Sequence, residues 1–148
     1  MLTLNLRLRW RTNMVVLIDT NILLDYILKR EPFYEESQKV MEVCSTDTAD
    51  GCIALHTVTT IWYLLRSFPE KSRRSALNAV CELLQVVGTS HDEVMNAINN
   101  ADFKDFEDCI QSKCAKTANA GYIITRNISD FEASEIPAVT PAEFLASL

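Results

Sequence analysis

The alternation of short apolar runs with longer amphipathic stretches constrains the fold of this chain more than any other feature. The run VVLI at 15–18 contains three β-branched residues and ends at Asp19, and the run YIIT at 122–125 ends at Thr125. Segments with helical periodicity lie between such runs, as at 21–29. Strands that alternate with helices form parallel sheets covered on both faces. The sequence therefore predicts an α/β fold with a mostly parallel central sheet of four to five strands.

The same patterns divide most of the chain into short elements. Further helices are predicted over 34–45, 57–67, 69–84 and 105–119, and further strands over 52–55, 85–87 and 138–140. Capping boxes mark three other helix starts, which are Ser90 with Glu93, Ser129 with Glu132 and Thr140 with Glu143. A chain of 148 residues with few Gly and Pro indicates one domain without a long linker.

The first thirteen residues differ from the rest and are predicted to form an N-terminal arm or extension of a single domain over 14–148. Leu and Trp alternate there with polar residues in the strand-like period of two. Three interpretations stay open, namely an added edge strand, an arm that packs on a second copy of the chain, and an upstream extension. A homodimer is thus one candidate assembly.

Charge and composition exclude some classes of protein. The net charge of −6 argues against a broad surface that coats nucleic acid, although a local basic patch is compatible with it. The odd number of cysteines, five, without a CxxC pair predicts reduced, buried thiols in the cytoplasm. No apolar run approaches the ~18 residues that a membrane span needs.

Polar side chains follow three of the predicted strands at the point where each strand ends. Asp19 follows the first, His56 the second, and Thr125, Asn127 and Asp130 lie at the end of the 122–125 run. Ligands of open α/β sheets bind beyond the carboxyl ends of the strands, so these exits predict a site. The alternative for Asp19 is that it merely caps the following helix.

A further pair of acids lies at the start of the predicted 105–119 helix. Asp105 and Asp108 are three residues apart and share one side of that helix. The alternative is that Asp105 caps the helix and that the positive helix end favours Asp108. If Asp19, Asp108 and Asp130 converge, their repulsion requires a cation, and oxygen ligands favour Mg²⁺ or Mn²⁺. Metal-assisted phosphoester hydrolysis is the chemistry that such a site supports.

Three segments resemble the signature segments of the PIN-domain family, especially its VapC-like toxin ribonucleases. They are VVLIDTNILLDY at 15–26, DFEDCIQ at 105–111 and YIITRNISDF at 122–131. The resemblance implies a PIN-like three-layer fold and a ribonuclease that depends on Mg²⁺ or Mn²⁺ and hydrolyses RNA phosphodiesters. It also implies an antitoxin protein as the partner in a toxin–antitoxin pair.

The resemblance assigns roles to individual residues. It implies that Asp19, Asp108 and Asp130 are the catalytic, metal-binding acids, with Asp105 as an additional candidate ligand. The polar residues that orient water and ligands are then Asn21, Thr125 and Asn127. The basic cluster in the middle of the chain, which is equally consistent with a solvated helix start, and the arginine of TRN give the candidate RNA contacts Arg66, Arg73, Arg74 and Arg126.

One departure from the family pattern leaves two hypotheses about function. The family places a glutamate early in the helix after the second strand, whereas HTVTTIWYLLRS at 56–67 has no acid and Trp62 or Tyr63 takes that position. The first hypothesis is an active metal-dependent endoribonuclease, in which Asp105 partly substitutes for the glutamate. The alternative is a catalytically weakened PIN-fold module that binds RNA or a protein partner.

Overall fold

The computed structural model of the protein describes residues 13–148. The predicted N-terminal arm lies outside the described residues, except that the side-chain amide of Asn13 donates to the carbonyl of Asp47. The division of the chain at residues 13 and 14 therefore stays a prediction.

A parallel sheet of five strands organises the described chain. The strands are β1 (Val15–Ile18), β2 (Asp50–Ala54), β3 (Gln85–Val87), β4 (Tyr122–Ile124) and β5 (Ala138–Val139). Their order in the sheet is β3-β2-β1-β4-β5, and each neighbouring pair is parallel. The central strand is β1, in which Leu17 lies opposite Cys52 on one side and Ile123 on the other. The predicted sheet of four to five parallel strands is confirmed.

Helices connect the strands and cover both faces of the sheet. They are α1 (Thr20–Ile27), α2 (Tyr34–Ser45), α3 (Leu55–Leu64), α4 (Glu70–Leu83), α5 (His91–Ile98), α6 (Phe106–Thr117) and α7 (Pro141–Ala146). A 3₁₀ turn, Ile128–Phe131, follows β4. Among the described residues, no helix has both the length and the apolar character that crossing a membrane requires.

Two apolar cores form the contacts between these layers. Val16 and Ile18 of β1 pack into one core with α1, α2, α3, α4 and α7, whereas Leu17 packs into the other with Cys114 of α6 and Phe131. Successive side chains of a strand point to opposite faces, so the buried run 16–18 supplies both cores. The predicted α/β three-layer fold, with helices on both faces, is confirmed.

The three predicted capping boxes have different outcomes. The hydroxyls of Ser90 and Thr140 each accept a hydrogen bond from the backbone N–H three residues later, which confirms two of them. The prediction at Ser129 is wrong, because this residue lies inside the 3₁₀ turn. Phe131 is buried in the second core, and the chain then turns back to place β5 beside β4, which leaves no length for a helix.

The cysteine prediction is confirmed for four of the five residues. Cys44, Cys52, Cys109 and Cys114 are free and buried, and burial raises the pKa of Cys44 to about 11 and that of Cys52 to about 12. Cys81 is also free but exposed, so the prediction of burial is wrong there. Its position on the solvent side of α4 explains the difference.

Candidate functional site

The carboxylate of Asp19 is buried at the carboxyl end of β1. Only 4% of the residue is exposed, and its backbone N–H donates to Ile124, which extends the pairing of β1 with β4. Asp19 occupies the position before α1, but its side chain makes no capping bond. The carboxylate instead accepts hydrogen bonds from Gln111 Nε2 (2.7 Å) and Thr125 Oγ1 (2.8 Å). The interpretation of Asp19 as a side-chain cap is therefore wrong.

Of the other predicted polar residues, Thr125 contacts Asp19 directly. Thr125 is fully buried, and its hydroxyl also accepts the backbone N–H of Asn127 at 3.0 Å. Asn127 precedes the 3₁₀ turn that contains Asp130. The backbone carbonyl of Asn21 accepts a bond from Arg30. Thr125 thus fixes the exit of β4 to Asp19, while the water-orienting roles of Asn21, Thr125 and Asn127 stay predictions.

Three acids lie together at the start of α6. Asp105 caps the helix, because its Oδ1 accepts the backbone N–H groups of Glu107 (2.8 Å) and Asp108 (3.2 Å). Carboxylate oxygens of Asp105, Glu107 and Asp108 all lie within 4.8 Å of one another. The capping alternative for Asp105 is confirmed. Asp105, Glu107 and Asp108 together are called the acidic group below.

Acids at the end of β1 and in the 3₁₀ turn repel the Asp108 carboxylate of the acidic group. Burial and then the charge of Asp19 raise the pKa of Asp108 to about 7, with further contributions from Glu107, Asp105 and Asp130. Burial also raises the pKa of Asp19, against the lowering effect of its bonds from Gln111 and Thr125. The charges of Asp19 and Asp130 thus act on Asp108, whereas the carboxylates that lie within 4.8 Å of one another are those of Asp105, Glu107 and Asp108. A shared metal site of Asp19, Asp108 and Asp130 stays a prediction.

Two neighbours of these acids, Glu107 and Gln111, were missed, and the contact made by His56 was not foreseen. Gln111 is fully buried and bridges Asp19 to Glu107, whose Oε1 it contacts at 3.3 Å. His56 Nε2 lies 2.9 Å from the same oxygen. Burial works against the charged imidazole, but contacts with Cys114 and Glu107 outweigh it and raise the pKa of His56 to about 9. Glu107 and Gln111 are one helical turn apart and so share a side of α6, and this spacing is the sequence signal that could have identified them.

Comparisons with known proteins identify the family. The family model described as PIN domain matches residues 15–129. The chain belongs to the PIN domain family.

This PIN domain is similar to a ribonuclease and to solved structures of toxins. It is 26% identical over 133 residues to Ribonuclease VapC1 of Aquifex aeolicus, a match that covers 87% of this chain and 92% of that protein. A toxin–antitoxin complex from Klebsiella pneumoniae matches with a TM-score of 0.64 and 23% identity, over 85% of this chain and 97% of that one. VapC20 of Mycobacterium tuberculosis, described as a sarcin-ricin loop cleaving toxin, matches with a TM-score of 0.63 and 14% identity, over 85% and 99%.

The aromatic residues predicted to replace the family glutamate lie against arginines. The ring of Trp62 lies below the guanidinium of Arg73 at 4.0 Å and that of Arg74 at 5.2 Å. Tyr63 is 61% exposed and contacts Arg66 at 4.3 Å. The α3 side chain that contacts the acidic group is instead His56. The three arginines thus pack on aromatic rings, and their contact with RNA stays a prediction.

Arg126 of this PIN domain forms a buried ion pair. It donates to both carboxylate oxygens of Asp25, from Nε at 2.8 Å and from Nη2 at 3.3 Å, and Arg30 contacts the same carboxylate at 2.9 Å. The guanidinium of Arg126 also lies 3.9 Å from the centre of the Phe33 ring. These contacts tie the β4 exit to α1, and the contact of Arg126 with RNA stays a prediction.

The residues of the acidic group fit a hard divalent cation. Every candidate ligand offers an oxygen atom, the donor type that Mg²⁺ and Mn²⁺ prefer. Burial and then the charges of neighbouring acids raise the pKa of Asp108 to about 7, and a bound cation would offset that repulsion. Gln111 Oε1 is buried and has no hydrogen-bond partner among the described residues, so an oxygen donor stays available beside the acids.

The metal-free protein is expected to lose stability as the pH rises from about 4 to about 7. The pKa of Asp108 is about 7 in the folded protein against 3.8 ordinarily, so the folded state keeps a proton that the unfolded chain releases. The charges that act on the Asp108 carboxyl are those of Asp19, Asp105, Glu107 and Asp130. His56 contacts Glu107, one of these acids. Because Asp108 is partly exposed, we expect Asp108→Asn to raise the free energy of unfolding near neutral pH by about 1–2 kcal/mol.

Urea denaturation in EDTA at about pH 5 and about pH 8 measures this effect as the difference between variant and wild type. The exposed Asp92 on α5 provides a control, since Asp92→Asn removes the same charge outside the acidic group. A difference that stays constant between the two pH values would contradict the prediction.

Proposed function

We propose that this PIN domain is a metal-dependent endoribonuclease that hydrolyses RNA phosphodiesters, as a VapC-like toxin of a toxin–antitoxin pair. The observation that carries the proposal is the acidic group at the start of α6, where carboxylate oxygens of Asp105, Glu107 and Asp108 lie within 4.8 Å of one another and the charges of Asp19 and Asp130 act on Asp108. The similarity to Ribonuclease VapC1 over most of both chains supports the same reaction. The alternative, a module without efficient catalysis, rested on Trp62 and Tyr63, whose rings lie against arginines.

Asp19, Asp108 and Asp130 would hold the Mg²⁺ or Mn²⁺ ion, with Asp105 at the edge of the group. A divalent ion bound there supplies charge neutralisation at the phosphodiester and lowers the pKa of attacking water. Gln111 and Thr125 hold the Asp19 carboxylate in one orientation through its two hydrogen bonds. Asn21, Thr125 and Asn127 are the proposed groups that orient water and the scissile phosphate.

Two features support the proposed partners and location. A toxin–antitoxin complex from Klebsiella pneumoniae shares the fold. VapBC-1 from nontypeable Haemophilus influenzae also shares it, with a TM-score of 0.65 over 87% of this chain and 99% of that one, at 15% identity. An antitoxin protein is accordingly the proposed partner, alongside the RNA substrate. Free, buried cysteines agree with a reducing compartment, the cytoplasm.

An RNA cleavage assay tests the proposal. The purified protein is incubated with single-stranded and hairpin RNA in Mn²⁺ or in EDTA, and cleavage should require the ion. We expect Asp108→Asn to lower the rate by about 100-fold or more, since metal-site substitutions beyond the ligands already cost 10–100-fold. The control Asp92→Asn should keep the wild-type rate. Absence of cleavage of any RNA in millimolar Mn²⁺ would overturn the proposal.

A further inference from the structure

A continuous polar chain joins α3 to the carboxyl end of β1. His56, in the first turn of α3, lies 2.9 Å from Glu107 Oε1 on α6. Gln111 Nε2 contacts the same oxygen at 3.3 Å and Asp19 Oδ1 at 2.7 Å. Both of these contacts of Glu107 involve Oε1, so they determine the orientation of its carboxylate relative to Asp19.

The carboxylate of Glu107 lies beside those of the other acids of the acidic group. Its carboxylate lies within 4.8 Å of those of Asp105 and Asp108. A cation bound to the carboxylate of Asp108 would therefore lie close to that of Glu107 as well.

Gln111 gives a second indication that a ligand belongs beside Glu107. The residue is fully buried, and its Nε2 lies between Asp19 and Glu107. Its Oε1 has no hydrogen-bond partner among the residues that the structure describes. A buried carbonyl oxygen without a partner costs free energy, and a cation or its bound water would satisfy it.

We propose that Glu107 is a fourth acidic ligand of the divalent cation and takes the place of the glutamate that α3 lacks. His56 is then a positioning residue, because it holds Glu107 Oε1 and leaves Oε2 for the cation. The proposal rests on the proposed function. It explains how a chain whose α3 carries no acid still completes an acidic site, with α3 contributing an imidazole that orients a carboxylate from α6.

Calorimetric titration of the full chain with Mn²⁺ tests the role of Glu107. Glu107→Gln should weaken Mn²⁺ affinity by about 10-fold or more. Glu82→Gln makes the same chemical change at an exposed position on α4 and should change the affinity by less than about twofold, because solvent and salt screen it. Equal affinities of the two variants would overturn the proposal.

Two substitutions of His56 separate positioning from a general structural role. His56→Phe keeps an aromatic ring but removes the N–H donor, whereas His56→Gln retains a donor that can reach Glu107. We expect His56→Phe to weaken Mn²⁺ binding and His56→Gln to restore most of it. In the Glu107→Gln background, His56→Phe should cause no further loss, because the two residues act together. An equal loss with and without the Glu107 carboxylate would overturn the positioning role.

Asp19→Asn and Asp108→Asn, measured in the same titration, separate failure of this inference from failure of the proposed function. If both lose Mn²⁺ and Glu107→Gln does not, the inference about Glu107 is wrong and the metal site stands. If none of the three changes Mn²⁺ affinity, the metal site itself is wrong.

Discussion

Asp19→Asn is expected to abolish Mn²⁺ binding and RNA cleavage while the protein stays folded. The carboxylate is buried between Gln111 and Thr125, and an amide has the same shape. Its oxygen can still accept from Gln111, and its N–H group can donate to the Thr125 hydroxyl. What disappears is the buried negative charge, without which a hard cation loses its most enclosed ligand.

Calorimetry with Mn²⁺, thermal unfolding without metal and an RNA cleavage assay together measure this result. The cleavage rate should fall by about 100-fold or more. The melting temperature of the metal-free protein should stay the same or rise, because repulsion from Glu107 is relieved. Asp92→Asn on the surface of α5 serves as the matched control. An unchanged Mn²⁺ affinity in Asp19→Asn would remove this residue from the site.

Asp25→Ala is expected to lower the free energy of unfolding by about 3–5 kcal/mol. Asp25 is fully buried, accepts hydrogen bonds from Arg126 and forms an ion pair with Arg30. Removing the carboxylate leaves two like charges side by side without the anion that they share. A loss of this size is a large part of the ~5–15 kcal/mol that stabilises a typical domain.

Urea denaturation compares this variant with a surface ion pair of the same protein. Glu35→Ala on α2 removes the partner of Lys39, whose Nζ lies 3.1 Å away, and both side chains are largely exposed. That change should cost less than about 1 kcal/mol. If Asp25→Ala costs no more than Glu35→Ala, the buried pair does not hold the β4 exit to α1.

Local sequence patterns predicted the elements of the fold well. The strands at 15–18 and 85–87 and the helix at 34–45 have the predicted bounds. Periodicity and capping depend on residues within one or two turns, which a single sequence displays directly. The turn at Ser129 was mispredicted because a capping box does not reveal that Phe131 is buried in the core.

The candidate site was predicted in part. The rule that parallel strands end at one edge predicted Asp19 and Asp130 near the same point, and helical spacing added Asp108, on which both charges act. Glu107 and Gln111 were missed because helical spacing shows only that they share a face of α6. It does not show that this face meets β1 and the first turn of α3, where His56 lies.

The sequence by itself determined the order of strands and helices and the position of Asp19 at the end of a buried strand. The tertiary structure alone decided what that carboxylate does. By local pattern Asp19 precedes a helix and is suited to cap it. Its actual partners, Gln111 and Thr125, are 92 and 106 residues away along the chain. Only the packing of α6 and β4 against β1 brings these donors within hydrogen-bond distance and turns a helix-capping position into part of an acidic site.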